Sequence, residues 1–388
     1  MRKAVLIIPH WLSTPEEQSF LRGRTPALQS MAETGEIRKC APMPEDPESE
    51  IGPASLTPEA AWLGMAPSSL QMQDGPLTVS SLGADPPAKS VHFHLNLLSW
   101  EDGVAKSVKR YPPEDLRELL EVSKKLNTRL LTIVDGEGPD HGLVWEDGSI
   151  ELGTHPARKI IGKDIKDFLP EGDGEKLLRR FIDDSINLLS GLEFNKRRLD
   201  EGLEPINLWW PWGQGFRVPV RNLALKRGEV TWVQSRSLRL QGLTRLAGYR
   251  HTDRNAFGYA TKTNLEGILK GIETYESTIS YLDAFSVFRA HSRWEECDWF
   301  AGELDRRLFA PLRALSSKEK LDLTVIACGG WTGEPIPESA SRQGLVLSYQ
   351  SEKSRQDSVP FDERALEERT LGSTNVWEGV AQGLVGNF

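Results

Sequence analysis

The sequence predicts an α/β fold with a mainly parallel sheet flanked by helices. Three observations predict it: short apolar runs like those of strands buried on both faces, amphipathic segments of helical length between them, and a chain of 388 residues. That length fills one large core or two domains.

The first run covers residues 5–8, in "VLIIPHWLS", and stops at Pro9. In doubly wound sheets the loop after the first strand is where a site residue is expected. Here it offers Pro9, His10 and Trp11, with no carboxylate, glycine or nucleophile. "LQSMAET" follows as a helix, and the Pro-, Glu- and Ser-rich residues 41–58 read as a long loop delivering another. At "GPASLTPEAAWLG", Ser55 or Thr57 fits an N-cap and Pro58 the first turn. The same place suits a serine nucleophile beside backbone N–H groups that hold a phosphate.

Residues 91–98 form the next expected strand, with His92 and His94 of "VHFHL" on one face. Such a pair can share a metal, but no third ligand lies nearby, and a structural role is the simpler reading. "EDLRELLEVSKKL" and "EKLLRRFIDDSINLLSGL" are helical around a strand at 129–134. "PINLWWPWGQGFRVPVRN" reads as a loop-like junction, and "WGQGF" within it lacks the third glycine of a dinucleotide site. Beyond it come a strand at 230–234, helices in "SLRLQGLTRLAG" and "TNLEGILKGIETYESTISYL", and a strand at 284–288. "RAHSRWEECD" then places His291, Arg293, Glu295, Glu296, Cys297 and Asp298 just after that strand, where a site belongs. "WFAGELDRRLFAPLRAL" is helical, strands follow at 323–328 and 345–349, and "ACGGWTGEPIP" makes a sharp turn between them.

A formal charge of −9 argues against nucleic acid or an anionic membrane as partner. No leader pattern opens the chain and no apolar run approaches the roughly 20 residues that span a bilayer, so a cytoplasmic location is expected. Cys40, Cys297 and Cys328 are too far apart for a disulfide framework or zinc spacing. Trp11, Trp209, Trp210, Trp212 and Trp331 sit in loop-like contexts and are expected to pack loops onto the core.

Taken in order, these segments resemble the archaeal-type cofactor-independent (2,3-bisphosphoglycerate-independent) phosphoglycerate mutases of the alkaline phosphatase superfamily. That family opens with a strand and "LDGxGD", then "TPxLxxLAxxG" and "PPGSDTAHxALLGYDP"; here stand "IPHWLS", "RTPALQSMAETG" and "GPASLTPEAAWLGMAP". Its "GPxEALGAGI…VAFRxNF" is matched by "GPLTVSSLGADPPAKSVHFHLNL". Its "NxxRxxxGLPPANxxxLWGQG" is matched by "NKRRLDEGLEPINLWWPWGQG", and its "FDERxxxxGxLG" by "FDERALEERTLG". The resemblance implies an alkaline phosphatase-like sheet domain at 1–78 and 222–388, interrupted by a smaller inserted α/β domain at 79–221. It also implies chemistry by two divalent cations and a serine that carries the phosphoryl group between neighbouring hydroxyls of phosphoglycerate.

Carried over residue by residue, most of that machinery is replaced. The aspartate of the first loop falls on Pro9, with His10 where the family has glycine. The serine survives as Ser55, but the histidine four positions on is Glu59. The aspartate and histidine of "DEAGHDGD" fall on Arg293 and Cys297, and those of "GDH" on Gly330 and Trp331. The last histidine has Glu338 as its nearest counterpart, and a histidine of the inserted domain falls near Arg158. Pro9, Gly330 and Trp331 have no ligand side chain, and a permanent cation at Arg293 repels a metal by several kcal/mol at roughly 4 Å and an effective dielectric near 20.

Three functions follow as expectations. One is a catalytically silent homologue, without metal cofactor, that binds a small anion or a partner protein. Arg293 and Arg158 are then its substrate-binding candidates, with Arg293 beside Ser55. Another is an active mutase or phosphatase with two divalent cations on relocated ligands and Ser55 as nucleophile. The third is a structural subunit associating through its tryptophan-rich loops.

Overall fold

The computed structural model describes residues 2–12, 19, 21–41, 60, 62–64, 73–217, 219–318, 321–328, 344–350, 360–366 and 371–385. The chain divides into two compact units, Met1–Gln71 with Val220–Phe388, and Met72–Pro219.

The larger unit is built on an eight-stranded sheet. Its strands run in the order Arg250–His251, Trp232–Gln234, Ser277–Tyr281, Arg2–Ile8, Leu321–Cys328, Gly344–Tyr349, Glu36–Ala41 and Ser373–Asn375. All neighbours pair parallel except Gly344–Tyr349, which is antiparallel to both of its own. Arg2–Ile8 is central, and Ala4 through Ile8 are fully buried, as its continuous apolar run requires. On one face, Leu6 and Ile8 join a core with Leu28, Ile268, Phe285, Phe300 and Phe309 of the covering helices. Helix Val376–Val385 packs across Arg2–Ile8 and Leu321–Cys328; a Cβ at its Gly383 would lie 3.0 Å from Val5 on the other face. The architecture is the α/β class expected, with helices flanking a mainly parallel sheet.

One strand lies elsewhere than the sequence suggests. Residues 284–288 are helical, within Ala284–Ala290, and the strand is Ser277–Tyr281, buried at all five positions. A short apolar run such as "AFSVF" cannot be told from a buried helix by periodicity alone. The helix expected across 263–282 stops at Thr274, where Tyr275 turns extended at φ −102°, ψ 150°.

The smaller unit is antiparallel rather than α/β in the parallel sense. Val91–Glu101 pairs with Val104–Lys106, Asp140–Trp145 and Leu208–Phe216, and Leu131–Glu137 pairs with Asp140–Trp145, all antiparallel. Leu208–Phe216 comes from the segment read as a junction loop. As an edge strand paired, among the described residues, with one neighbour, Val91–Glu101, it tolerates Pro211, which has no N–H to donate. Its alternation sends Trp209 and Trp210 into two separate buried clusters. Helix Asp74–Ser81 lies wholly within this unit, Met72–Pro219. A Cβ on its Gly75 would collide with the carbonyls of His92 and Gly213, which fixes that helix against the sheet.

Candidate functional site

The carboxyl edge of the large sheet is where a ligand is expected in an open α/β fold. The loop leaving Arg2–Ile8 turns there at His10, whose φ of 57° is left-handed. That conformation is uncommon for a residue with a side chain. The turn directs Trp11 inward, fully buried and stacked on Phe285 and Phe309 at centroid distances of 5.6 and 5.7 Å. The Leu12 N–H donates to the Cys328 carbonyl at 3.3 Å, joining this loop to the end of Leu321–Cys328. As expected, Trp11 packs a loop onto the core.

The loop's carbonyls face a cation. Arg289 Nη1 donates to the His10 carbonyl at 3.2 Å and to the Leu12 carbonyl at 3.3 Å. Burial, and then the charge of Arg289, push the His10 imidazole down to about 4, so it is neutral near pH 7. Its Nε2 is buried with no hydrogen-bond partner among the described residues. Beside this loop, the N–H of Leu282 donates to the Ile7 carbonyl at 2.9 Å, and Asp283 opens helix Ala284–Ala290. Burial raises the Asp283 carboxyl above its ordinary range, and the charges of Arg236 and Arg254 oppose that rise. The Arg236 guanidinium lies over the Tyr259 ring at 5.0 Å, and Arg254 Nε donates to the Arg236 carbonyl at 3.1 Å.

The sequence missed Asp283 and Arg289 because it placed the strand seven residues late. With Ser277–Tyr281 as the strand, the edge positions are Leu282 and Asp283 rather than Arg293. Arg293 instead stands at the residue before helix Trp294–Leu304, lies over Phe288 at 5.3 Å, and pairs with Glu296 at 2.7 Å. Cys297 is fully buried in the hydrophobic core. Pro9 closes the first strand, as expected. Arg158 is exposed on helix Ala157–Ile160 of the smaller unit. Ser55, Glu59, Gly330, Trp331 and Glu338 lie outside the described residues.

A pair of divalent cations needs several anionic or imidazole ligands. Among the described residues no three of His, Cys, Asp or Glu gather to hold a metal. Pro9 has nothing to coordinate with, and Arg289 covers the loop's carbonyls. A divalent ion about 4 Å from that guanidinium would be repelled by about 8 kcal/mol at an effective dielectric near 20. The described part of the edge does not fit a bimetallic centre.

In the smaller unit, the pairing with Leu208–Phe216 shifts register between His92 and His94, and the two rings sit in different surroundings. His92 is 1% exposed, and burial, then Arg217, push it down to about 4. His94 Nε2 meets Asp140 Oδ1 at 3.1 Å while its ring stacks on Trp212 at 4.9 Å. "WGQGF" is a brace rather than a phosphate loop. Trp212 Nε1 donates to Asn96 Oδ1 at 2.6 Å, Gln214 bonds Thr154 and the Leu152 carbonyl, and Gly213 turns at φ 65°.

A sequence profile described as 2,3-bisphosphoglycerate-independent phosphoglycerate mutase matches residues 37–195. The chain is similar to the protein of that name from Methanosarcina mazei, at 26% identity over 96% of each chain. It is 27% identical to that of Methanosarcina barkeri over 90% of this chain and 89% of the other. Its fold is similar to a cofactor-independent phosphoglycerate mutase from Thermoplasma acidophilum, at TM-score 0.62 and 17% identity, covering 100% of this chain and 99% of that one. It is also similar to the PH0037 protein of Pyrococcus horikoshii, at TM-score 0.70 and 16% identity, covering 99% and 97%.

Proposed function

We propose that the chain is a member of the archaeal-type cofactor-independent phosphoglycerate mutase family, to whose profile, proteins and fold it is similar, that it has kept the fold and given up the two-metal chemistry, and that it binds a small anion or a partner protein. One observation carries this reading: Arg289 sits on the carbonyls of the loop that the family equips with a metal ligand. A guanidinium stays charged at every accessible pH. It therefore gives this edge a fixed positive charge where the relatives' chemistry calls for a removable ion. Such an edge attracts phosphate or carboxylate without a metal.

Neither nucleic acid nor membrane is a partner in this reading, and the place of action is the cytoplasm. The net charge of −9 supports the first part. Among the described residues no helix is long and apolar enough to cross a membrane. Ser55 remains the candidate nucleophile, and Arg293 and Arg158 candidate anion contacts, should phosphoryl transfer persist. The test is a phosphoglycerate mutase and phosphatase assay with added manganese, zinc, cobalt or magnesium. No turnover above a Ser55→Ala control is expected. Metal-dependent turnover lost in Ser55→Ala would overturn the proposal in favour of an active enzyme with relocated ligands.

A further inference from the structure

Four adjacent parallel strands, Arg250–His251, Trp232–Gln234, Ser277–Tyr281 and Arg2–Ile8, deliver their following residues side by side onto the carboxyl edge. Those residues bring three guanidinium groups to the edge, Arg236, Arg254 and Arg289. The charges of Arg236 and Arg254 act upon the carboxylate of Asp283. The three arginines differ in how they are held. Arg254 donates to the Arg236 carbonyl, and Arg289 to those of His10 and Leu12. Arg236 is half-buried and lies over the Tyr259 ring at 5.0 Å. Among the described residues its N–H groups meet no carbonyl, and no carboxylate lies within ion-pair distance of it.

A guanidinium held over an aromatic face is attracted to the ring, which favours one placement of its fork. Five N–H groups in a rigid fork match the paired oxygens of a phosphate or carboxylate. Because Arg236 is half-buried, its donors stay within reach of a ligand of that chemistry. The turn that presents Tyr259 is itself constrained, since the adjacent Ala260, 4% exposed, has φ 49°.

We propose that Arg236, backed by Tyr259, is the anchor of a metal-free oxyanion site on this edge that takes the phosphate or carboxylate group of a small ligand. This rests on the small-anion reading above and moves its anchor from Arg293 to Arg236.

The test is titration calorimetry at low salt with two probes, inorganic phosphate and 3-phosphoglycerate, on the full chain and its Arg236→Gln and Arg236→Lys variants. Binding by the unaltered protein is expected, weakened at least tenfold in Arg236→Gln and by a smaller factor in Arg236→Lys, which keeps the charge and loses the fork. Circular dichroism checks the fold, and if the Gln variant misfolds the Lys variant decides. Phosphate binding as tight as 3-phosphoglycerate would identify the phosphate as the recognised group, and tighter binding of the latter would add its carboxylate. Undiminished binding in folded Arg236 variants, with loss in Arg293→Gln, overturns the assignment to Arg236 and leaves the small-anion reading standing. No binding of either probe by the unaltered protein overturns both.

Discussion

Arg289 reaches across the sheet edge to the backbone of His10, its Nη1 donating to that carbonyl at 3.2 Å. The same nitrogen holds the Leu12 carbonyl, so one side chain ties down a loop that turns through a left-handed residue. Arg289→Met keeps much of the apolar stem and removes the donors. We expect a stability loss of about 1.5–3 kcal/mol, the range for hydrogen bonds to a charged group. Urea unfolding would measure it, and an unchanged midpoint would show that the loop holds its shape without the cation.

Stability should fall in mild acid. His10, His92 and His141 are each pushed down to about 4, in every case first by burial. Unfolded, each titrates near 6.5. Between pH 6.5 and 4 the unfolded chain therefore binds protons that the native chain refuses, and unfolding is favoured as pH drops. The contribution is fully present above 6.5 and decreases by up to about 1.4 kcal/mol per histidine per pH unit on the way down. Thermal unfolding from pH 7.5 to 4.5 would show the decline. His92→Phe should make it shallower, because neither His92 nitrogen has a described partner to lose; an equally steep decline would remove His92 from the explanation.

Asp305 should matter out of proportion to its position in mid-helix. Asp305–Phe309 forms a π-helical turn between Trp294–Leu304 and Ala310–Lys318. Its buried carboxylate accepts the N–H groups of Ala27 and Leu28, both at 3.0 Å. Helix Pro26–Ala32 receives no side-chain cap from Thr25, so Asp305 supplies one from a distant element. Asp305→Ala should cost roughly 2 kcal/mol, the upper end for losing an N-cap. A urea midpoint within error of the parent would contradict that role.

Trp11→Ala tests whether the loop ring is part of the core or a ligand surface. It lies within 4° of parallel to Phe309 and is fully buried. Truncating a buried large aromatic costs about 3–5 kcal/mol. A loss of that size in chemical denaturation is expected, and a loss below about 1 kcal/mol would mark Trp11 as dispensable to packing.

The central strands were legible because full burial leaves an uninterrupted apolar run, as in "AVLII" and "LTVIAC". Leu208–Phe216 was not, since Pro211 and two glycines disguise an edge strand as a loop. The step from Tyr275 to Ala284 was misread because a five-residue strand and a seven-residue helix carry similar apolar content. That slip hid Asp283 and Arg289 and lent Arg293 and Cys297 an edge position they do not have. Arg236 gave no sequence signal, because its setting depends on Tyr259, a residue from a different loop. The replacement of the family's first-loop aspartate by Pro9, by contrast, is a reading that rests on the sequence resemblance alone.

The most direct measurement is bound metal, by mass spectrometry on protein purified in manganese and zinc and then dialysed. The expected result is no stoichiometric metal, because a guanidinium holds the loop where the first ligand would stand. Two equivalents per chain would contradict it and favour the alternative of an active enzyme with two divalent cations on relocated ligands.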